Sequence, residues 1–367
     1  MPAVIGPVHI AGGGVSGLAT AVLLARQGAQ VEVHDRHVGG GGRFHGGWQV
    51  LDNGLSPVDA LEELHGLGLT GRPPVVPAHR AVLLDAFGGR HEVSSRAPFT
   101  YFLRRGGEGS LDAWLREQAI ELGVTLREGC EAPGDAQVVA TGPHRADGVA
   151  REVVFASDLP DTVMVLFDPN VTPSGYAYLF CLQGHATFGV AQVRCLRLLP
   201  AARQVAWVRF RRELGDFAVR DPRESGQFMS FAPPPTLRDR DGRWHAGEAA
   251  GVQHYLFGLG IRFALRSASL VADGVLGRWD QARYERELRI PMLVSVAMRW
   301  GYERLGPRAF RVGCRLASKR DFQELLVRAQ RPGLLRRALA RVVMAAWDEG
   351  PRNQGPLGGW RRRREVV

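Results

Sequence analysis

Lysine is almost missing from this sequence: Lys319 is the only one, so nearly every positive charge is arginine. The net charge is +10, but residues 311–367 carry 14 Lys or Arg against 5 Asp or Glu, which leaves the rest close to neutral. A chain charged in this way does not coat nucleic acid along its length; it has a basic C-terminal region. Cysteine is scarce too. Cys130, Cys181, Cys195 and Cys314 include no Cys-x-x-Cys pair, which argues against a zinc ribbon or a disulfide framework and fits a reducing compartment. No metal is expected. No apolar run approaches the roughly 18 residues needed to span a bilayer. The N-terminus enters a strand directly, which leaves no room for a signal peptide, so a cytoplasmic protein is expected. Hydrophobic residues at 45% and charged residues at 23% suffice for a substantial core.

Glycine, by contrast, is abundant, and its placement organises the chain. A strand at Val8–Ala11 runs into Gly12, Gly14 and Gly17, spaced G-x-G-x-x-G. A helix follows, stopped at Gly28, and a second strand from Val31 ends at Asp35. Gly12 permits the tight turn, Gly14 admits a pyrophosphate, and Gly17 lets helix and strand pack closely. The free N–H groups of the helix start, at Val15 and Ser16, suit phosphate. Asp35, with Arg36 beside it, is placed to accept hydrogen bonds from a ribose diol. The alternative is a βαβ unit with no ligand.

Four consecutive glycines, Gly39 to Gly42, then lead to Arg43 and His45, either as a loop laid against a flat cofactor or as a surface loop. The sequence predicts a helix over 57–69, a hairpin over 81–93, a strand over 100–105, a helix over 111–122 capped by Ser110, and short strands over 124–127 and 137–142. From Glu152 the texture becomes all-β, with short runs over 153–155, 162–167, 177–182 and 186–193. A helix is expected over 200–217, and the apolar stretch from Phe228 to Phe231 follows. The run Pro233, Pro234 and Pro235 reads as a crossing between domains. Gly247-Glu248-Ala-Ala-Gly251, Gly258 and Gly260 then precede a helix over 261–272, repeating the glycine-and-acid logic of the opening. Residues 281–347 read as helical.

In combination, Gly12-x-Gly14-x-x-Gly17 with Asp35, Arg105 before a helix, and Gly247-Glu248-Ala-Ala-Gly251 resemble the FAD-dependent oxidoreductases of the aromatic hydroxylase superfamily. That group usually has G-D-A-A-G where Glu248 stands here, with the acid on the ribitol of FAD. Within the superfamily, the stretch from Pro173 through Tyr176, Tyr178, Phe180 and Cys181, then Gly189-Val-Ala191, resembles the signature of geranylgeranyl reductases. Tyr178 replaces its usual tryptophan, Cys181 its proline and Ala191 its last glycine.

The resemblance implies an α/β fold. A discontinuous Rossmann-like FAD domain (1–75, 100–152 and 237–280) would interleave with an antiparallel substrate sheet (76–99 and 153–236), ahead of a helical basic region (281–367). It implies FAD held by Gly12, Gly14, Val15, Ser16, Gly17, Asp35, Arg36, Arg43, Arg105, Gly247, Glu248, Gly251, Gly258 and Gly260. An apolar or lipid substrate would lie against Tyr176, Tyr178, Phe180 and Phe188, with Phe167 in the same wall. His45, His254 and Tyr176 are the candidate catalytic groups. Reduction of a prenyl C=C bond is the leading activity, with NADPH or a ferredoxin-like protein as electron donor. Hydroxylation of an aromatic or polyketide-like substrate is the alternative, and a flavin-binding regulatory protein is the reading outside enzymology. The W-x-W-x-I-P stretch and catalytic lysine of the superfamily's halogenases have no match here. The basic amphipathic stretch from Leu334 to Trp347 points either to peripheral contact with an anionic membrane or to a packed terminal helix.

Overall fold

A computed structural model describes residues 6–41, 44–144, 146–193, 195–230 and 233–348. Its first elements are β1 (Val8–Ala11), α1 (Val15–Ala25) and β2 (Val31–Asp35), the expected βαβ unit, with β1 and β2 parallel. Gly12, at φ +105°, makes the turn, and a side chain there would strike the Ala140 carbonyl. Helix α1 is buried on nearly every side because it is clamped between other helices rather than laid on a surface.

After β3 (Trp48–Asp52), α2 (Ala60–Gly66) and β4 (Val75–Ala78), the hairpin β5 (Arg80–Asp85) and β6 (Arg90–Ser94) leads to β7 (Thr100–Arg104). β3, β7 and β4 form a three-stranded antiparallel sheet. Helix α3 (Leu111–Glu121) is capped by the Ser110 hydroxyl accepting from Ala113 N–H, as its position ahead of an apolar stripe predicts. Strands β8 (Thr125–Glu128) and β9 (Val138–Val139) follow.

Next come β10 (Gly148–Ala156), β11 (Thr162–Phe167), β12 (Gly175–Leu182), β13 (His185–Gln192), α4 (Leu199–Leu214) and β14 (Arg220–Met229). They build a seven-stranded sheet in the order β14-β10-β13-β12-β11-β5-β6, in which only the β11–β5 pair is parallel. Strand β14 starts eight residues before the apolar stretch that opens at Phe228. It is a polar edge strand with little apolar alternation to announce it. Phe231 lies outside the described residues.

β15 (Trp244–His245) then returns to complete the parallel sheet β15-β9-β1-β2-β8. α5 (Ile261–Val275) packs with α3 on either side of α1. The remainder is helical, as expected: α6 (Gln281–Tyr284), a π-helical turn at Glu285–Arg289, α7 (Ile290–Tyr302), α8 (Pro307–Ala317), α9 (Phe322–Gln330) and α10 (Leu334–Asp348). The fold is α/β, with a Rossmann-like parallel sheet, separate antiparallel sheets and a helical C-terminal region. One core joins the parallel sheet, its helices and the inner face of the seven-stranded sheet. A second lies between that sheet's outer face and α4.

Candidate functional site

The site begins at the start of α1. Gly14 is the N-cap, with no side chain closing the helix end, and a Cβ built on it would meet nothing within 4 Å. That open position, facing uncapped N–H groups, is a cradle of the kind a pyrophosphate requires. Gly17 has the opposite surroundings, for a side chain there would run into the Gly12 carbonyl and the Ala140 methyl. Asp35 stands across the turn, where its Oδ2 accepts from Gly13 N–H at 2.7 Å and its Oδ1 from His37 N–H at 2.8 Å. Each oxygen keeps a second lone pair for a ribose hydroxyl. Arg36 is exposed. The loop beyond it folds back, with Gly40 against the Gly13 carbonyl and Gly41 against the Asp112 carboxylate. Arg43 lies outside the described residues.

The second glycine motif arrives at the same place from about 230 residues downstream. Gly247 opens a short 3-10 turn, Gly247–Ala250, that carries half-buried Glu248 and ends at Gly251 in the left-handed region. A side chain on Gly247 would press on the Ser16 hydroxyl, so the turn lies directly against the first turn of α1. Ser267 on α5 accepts from Gly247 N–H at 2.8 Å and fixes the turn. α5 itself starts at Gly260 without a side-chain cap.

Arg105 is committed differently from the expectation. Its Nε and one terminal nitrogen donate to the two oxygens of Asp112 at 2.7 and 2.9 Å, and its guanidinium lies 4.3 Å from the Phe44 ring centre. This buried bidentate pair anchors the glycine loop to α3. The cleft beside Gly13, Asp35 and Asp112 also has Arg116 and Arg127 in its wall, neither of which stood out in the sequence.

The inner face of the seven-stranded sheet supplies the other half. Pairing of Tyr176 with Ala191, Tyr178 with Gly189 and Phe180 with Thr187 puts the three rings on one face. They run on as a ladder, with ring centres 5.8 Å apart from Tyr176 to Tyr178 and 4.9 Å from Tyr178 to Phe180. Gly189 makes room for the Tyr178 ring. Phe167 joins them at 6.4 Å from Tyr176. Phe188 does not. It occupies the opposite face and packs on Trp207 and Phe210 of α4, at 5.0 and 6.0 Å. Its assignment to the substrate wall is therefore corrected: the register that places Tyr178 beside Gly189 turns the neighbouring Phe188 outward. Cys181 shares that outer core, where burial pushes its thiol up to about 11, so it packs as an inert side chain.

Tyr176 joins the two halves. Its hydroxyl donates to the Phe257 carbonyl at 2.6 Å, in the loop that carries Gly258 and Gly260 to α5. Arg299, fully buried on α7, holds that loop from behind by donating to the Leu256 carbonyl at 3.0 Å and to the Ser174 carbonyl at the start of β12. His254, in the same loop, is buried with its Nδ1 unpartnered, and burial lowers its pKa against the opposing pull of Asp52 and Gln330. His45 is exposed and has a left-handed backbone at φ +50°.

One residue of this face was not expected at all. Glu152 of β10 is buried in the inner wall and accepts from the Tyr178 hydroxyl at 2.5 Å, from Gln227 at 2.9 Å and from Gln49 at 3.2 Å. Burial raises its carboxyl above the usual range, against the pull of these three donors. An acid running directly into the apolar stretch Val153, Val154 and Phe155 of a strand was the available signal.

With this geometry in hand, residues 10–59 match the family model of the NAD(P)-binding Rossmann-like domain. No curated protein matches the sequence. Solved structures do. A geranylgeranyl bacteriochlorophyll reductase-like protein from Thermoplasma acidophilum superposes over 93% of this chain and 98% of its own, at 14% identity and a TM-score of 0.66. The chain shares that protein's fold. A p-nitrophenol 4-monooxygenase from Pseudomonas putida superposes over 98% of this chain and 99% of its own, at 15% identity and a TM-score of 0.58. The myxobacterial chondrochloren halogenase, an FAD-dependent halogenase, superposes over 92% and 96%, at 15% identity and 0.57. Reductase, hydroxylase and halogenase thus share one architecture, and fold alone does not choose among them.

Proposed function

We propose that the protein is an FAD-dependent oxidoreductase that reduces a C=C bond of a prenyl or other long apolar substrate. The reading rests above all on the meeting of its two glycine motifs, with Gly247 against Ser16 at the uncapped start of α1. A nicotinamide site needs only the first of these, whereas a cofactor with a ribitol chain needs a second polar turn beyond the pyrophosphate. FAD, when bound, supplies the hydride. The N–H groups at Val15 and Ser16 would hold the pyrophosphate, Asp35 the ribose, and the Gly247–Gly251 turn with Glu248 the ribitol. Tyr176, Tyr178, Phe180 and Phe167 exclude water from the reacting carbon. His254, in the loop that Tyr176 holds through the Phe257 carbonyl, would hold a proton. Electrons would come from NADPH docking transiently or from a ferredoxin-like protein.

One observation favours the second reading, oxygenation of an aromatic or polyketide-like substrate. Glu152 with Tyr178, Gln49 and Gln227 is a polar group in the wall, suited to a phenol or amide and of no use to a hydrocarbon chain. Flavin absorbance of the purified full chain tests the cofactor; a chain that neither carries nor takes up FAD ends both readings. Dithionite-reduced enzyme given geranylgeranyl diphosphate without oxygen then separates them, since a saturated product supports reduction and a product formed only with O2 supports oxygenation.

No helix among the described residues is long and apolar enough to cross a membrane. Exposed Leu334, Leu335 and Val342 on α10, with exposed Arg337 and Arg341, support peripheral contact with an anionic bilayer.

A further inference from the structure

Parallel sheets are normally covered on both faces. In the sheet β15-β9-β1-β2-β8, Val8, Ile10, Val31 and Val33 turn to the helices and are buried. The other face carries His9, Glu32, His34, Thr125, Arg127 and His245, placed on one side by the register of the five strands. The connection from β8 to β9, residues 129–137, contains no helix or strand to cover them. Polar side chains therefore line a partly exposed face of the sheet that holds the nucleotide motif.

Three of these groups converge. His9 Nδ1 lies 3.1 Å from His34 Nε2, and Glu32 Oε2 lies 4.0 Å from the first and 3.8 Å from the second. Among the described residues this is the one group of three or more His, Cys, Asp or Glu whose ligand atoms all fall within 4.8 Å of one another. We propose that His9, Glu32 and His34 form a binding site for a divalent transition-metal ion of the zinc type. Two imidazole nitrogens and one carboxylate oxygen are the donor set of three-ligand zinc sites. Ligands about 2.0–2.2 Å from a shared tetrahedral ion stand a little over 3 Å from one another, so each of these atoms moves by only a fraction of an ångström to bind. The side chains of His9 and Glu32 are 23% and 22% exposed, and that of His34 is buried. Arg127, whose Nε is 3.3 Å from Glu32 Oε2, shares that carboxylate. Cys130 Sγ is 3.9 Å from His34 Nδ1, on the far edge of the ring, and so belongs to the surroundings rather than the ligand set.

No sequence spacing announces this site, because His9 meets Glu32 only through the pairing of β1 with β2. Those strands also end in Gly12 and Asp35. An ion bridging them fixes the spacing of the two ends that flank the nucleotide cleft, which makes the site a structural or regulatory clamp.

The test is a titration of untagged, chelator-treated full-length protein with Co2+ alone, followed by its visible d–d absorption. One equivalent should bind with the intensity of a four- or five-coordinate ion and be displaced by Zn2+. Glu32→Gln, at a half-exposed position that leaves the fold intact, and His34→Ala should each weaken binding by about tenfold or more. Cys130→Ser and His245→Ala should bind as the parent does. Absence of saturable binding, equal affinity in Glu32→Gln and the parent, or loss of binding in His245→Ala would each overturn the assignment.

Discussion

Gly14 and Gly17 stand three residues apart in one motif, yet the structure gives them opposite sensitivities to a single methyl group. At Gly14 the backbone (φ −83°, ψ −174°) suits any residue, and a Cβ meets nothing. Gly14→Ala should change the stability of the cofactor-free protein by only the difference between glycine and alanine as an N-cap, below about 1 kcal/mol. The methyl would project into the space proposed for the pyrophosphate. FAD affinity should therefore fall by about tenfold or more, about 1.4 kcal/mol. At Gly17 the methyl would lie 3.1 Å from the Gly12 carbonyl carbon and 3.3 Å from the Ala140 Cβ, with the Gly12 oxygen closer still. Overpacking of this kind costs about 1–3 kcal/mol and more against rigid backbone. Alanine's better helix propensity returns about 1 kcal/mol. A net loss of about 2 kcal/mol corresponds, in a chain of 367 residues, to a Tm lower by about 2–3 °C. Differential scanning fluorimetry of stripped protein and titration with FAD, followed by quenching of flavin fluorescence, measure both. A Gly14→Ala protein that binds FAD like the parent would refute the placement of the phosphates. An unchanged Tm for Gly17→Ala would refute the packing argument.

The buried wall of the sheet gives three further expectations. Glu152 has its folded pKa raised above 4.5, so the native state binds the proton more tightly than the unfolded chain does, and stability is lost as pH rises through the folded pKa. The Tm of the parent relative to Glu152→Gln should therefore fall as pH rises above 4.5; a pH-independent difference would show that folding does not raise the carboxyl's pKa. Phe188→Ala should cost about 3–5 kcal/mol of stability by denaturant titration, with FAD affinity unchanged. A raised KM without loss of stability would return Phe188 to the substrate wall. Arg299→Lys cannot serve the Leu256 carbonyl, the Ser174 carbonyl and Glu303 together. It should lower stability by about 1–3 kcal/mol and loosen the 252–259 loop, read as faster amide exchange there.

How much of this could be read in the sequence follows from the range of the interactions concerned. The βαβ opening and its glycines are local: strand, turn, helix and acid lie within 28 residues, and each position has a steric reason visible in one dimension. The Gly247-Glu248 turn was recognisable by its likeness to the opening, although only the structure sets it against Ser16. What escaped depends on register. The outward rotation of Phe188, the convergence of Glu152 with Gln49 and Gln227, and the meeting of His9 with Glu32 are set by which residue pairs with which across strands. β14 escaped because an edge strand with exposed Arg220, Asp221, Arg223 and Glu224 carries no apolar alternation. The pairing of Arg105 with Asp112, seven residues on, has no signal in the spacing of the two residues.

The two-residue strand β15 has a consequence for how the protein is made. Trp244 and His245 pair with β9, so the parallel sheet that carries Gly12 and Asp35 is finished only after the whole seven-stranded sheet has been synthesised. Translation adds roughly 5–20 residues per second, so the nascent chain waits about 5–20 s with the β9 edge unpaired, and about 12–50 s with α1 lacking α5. During that interval the chain should be unable to bind the proposed cofactor. A message truncated before codon 245 should yield a fragment that aggregates, however complete its glycine motif.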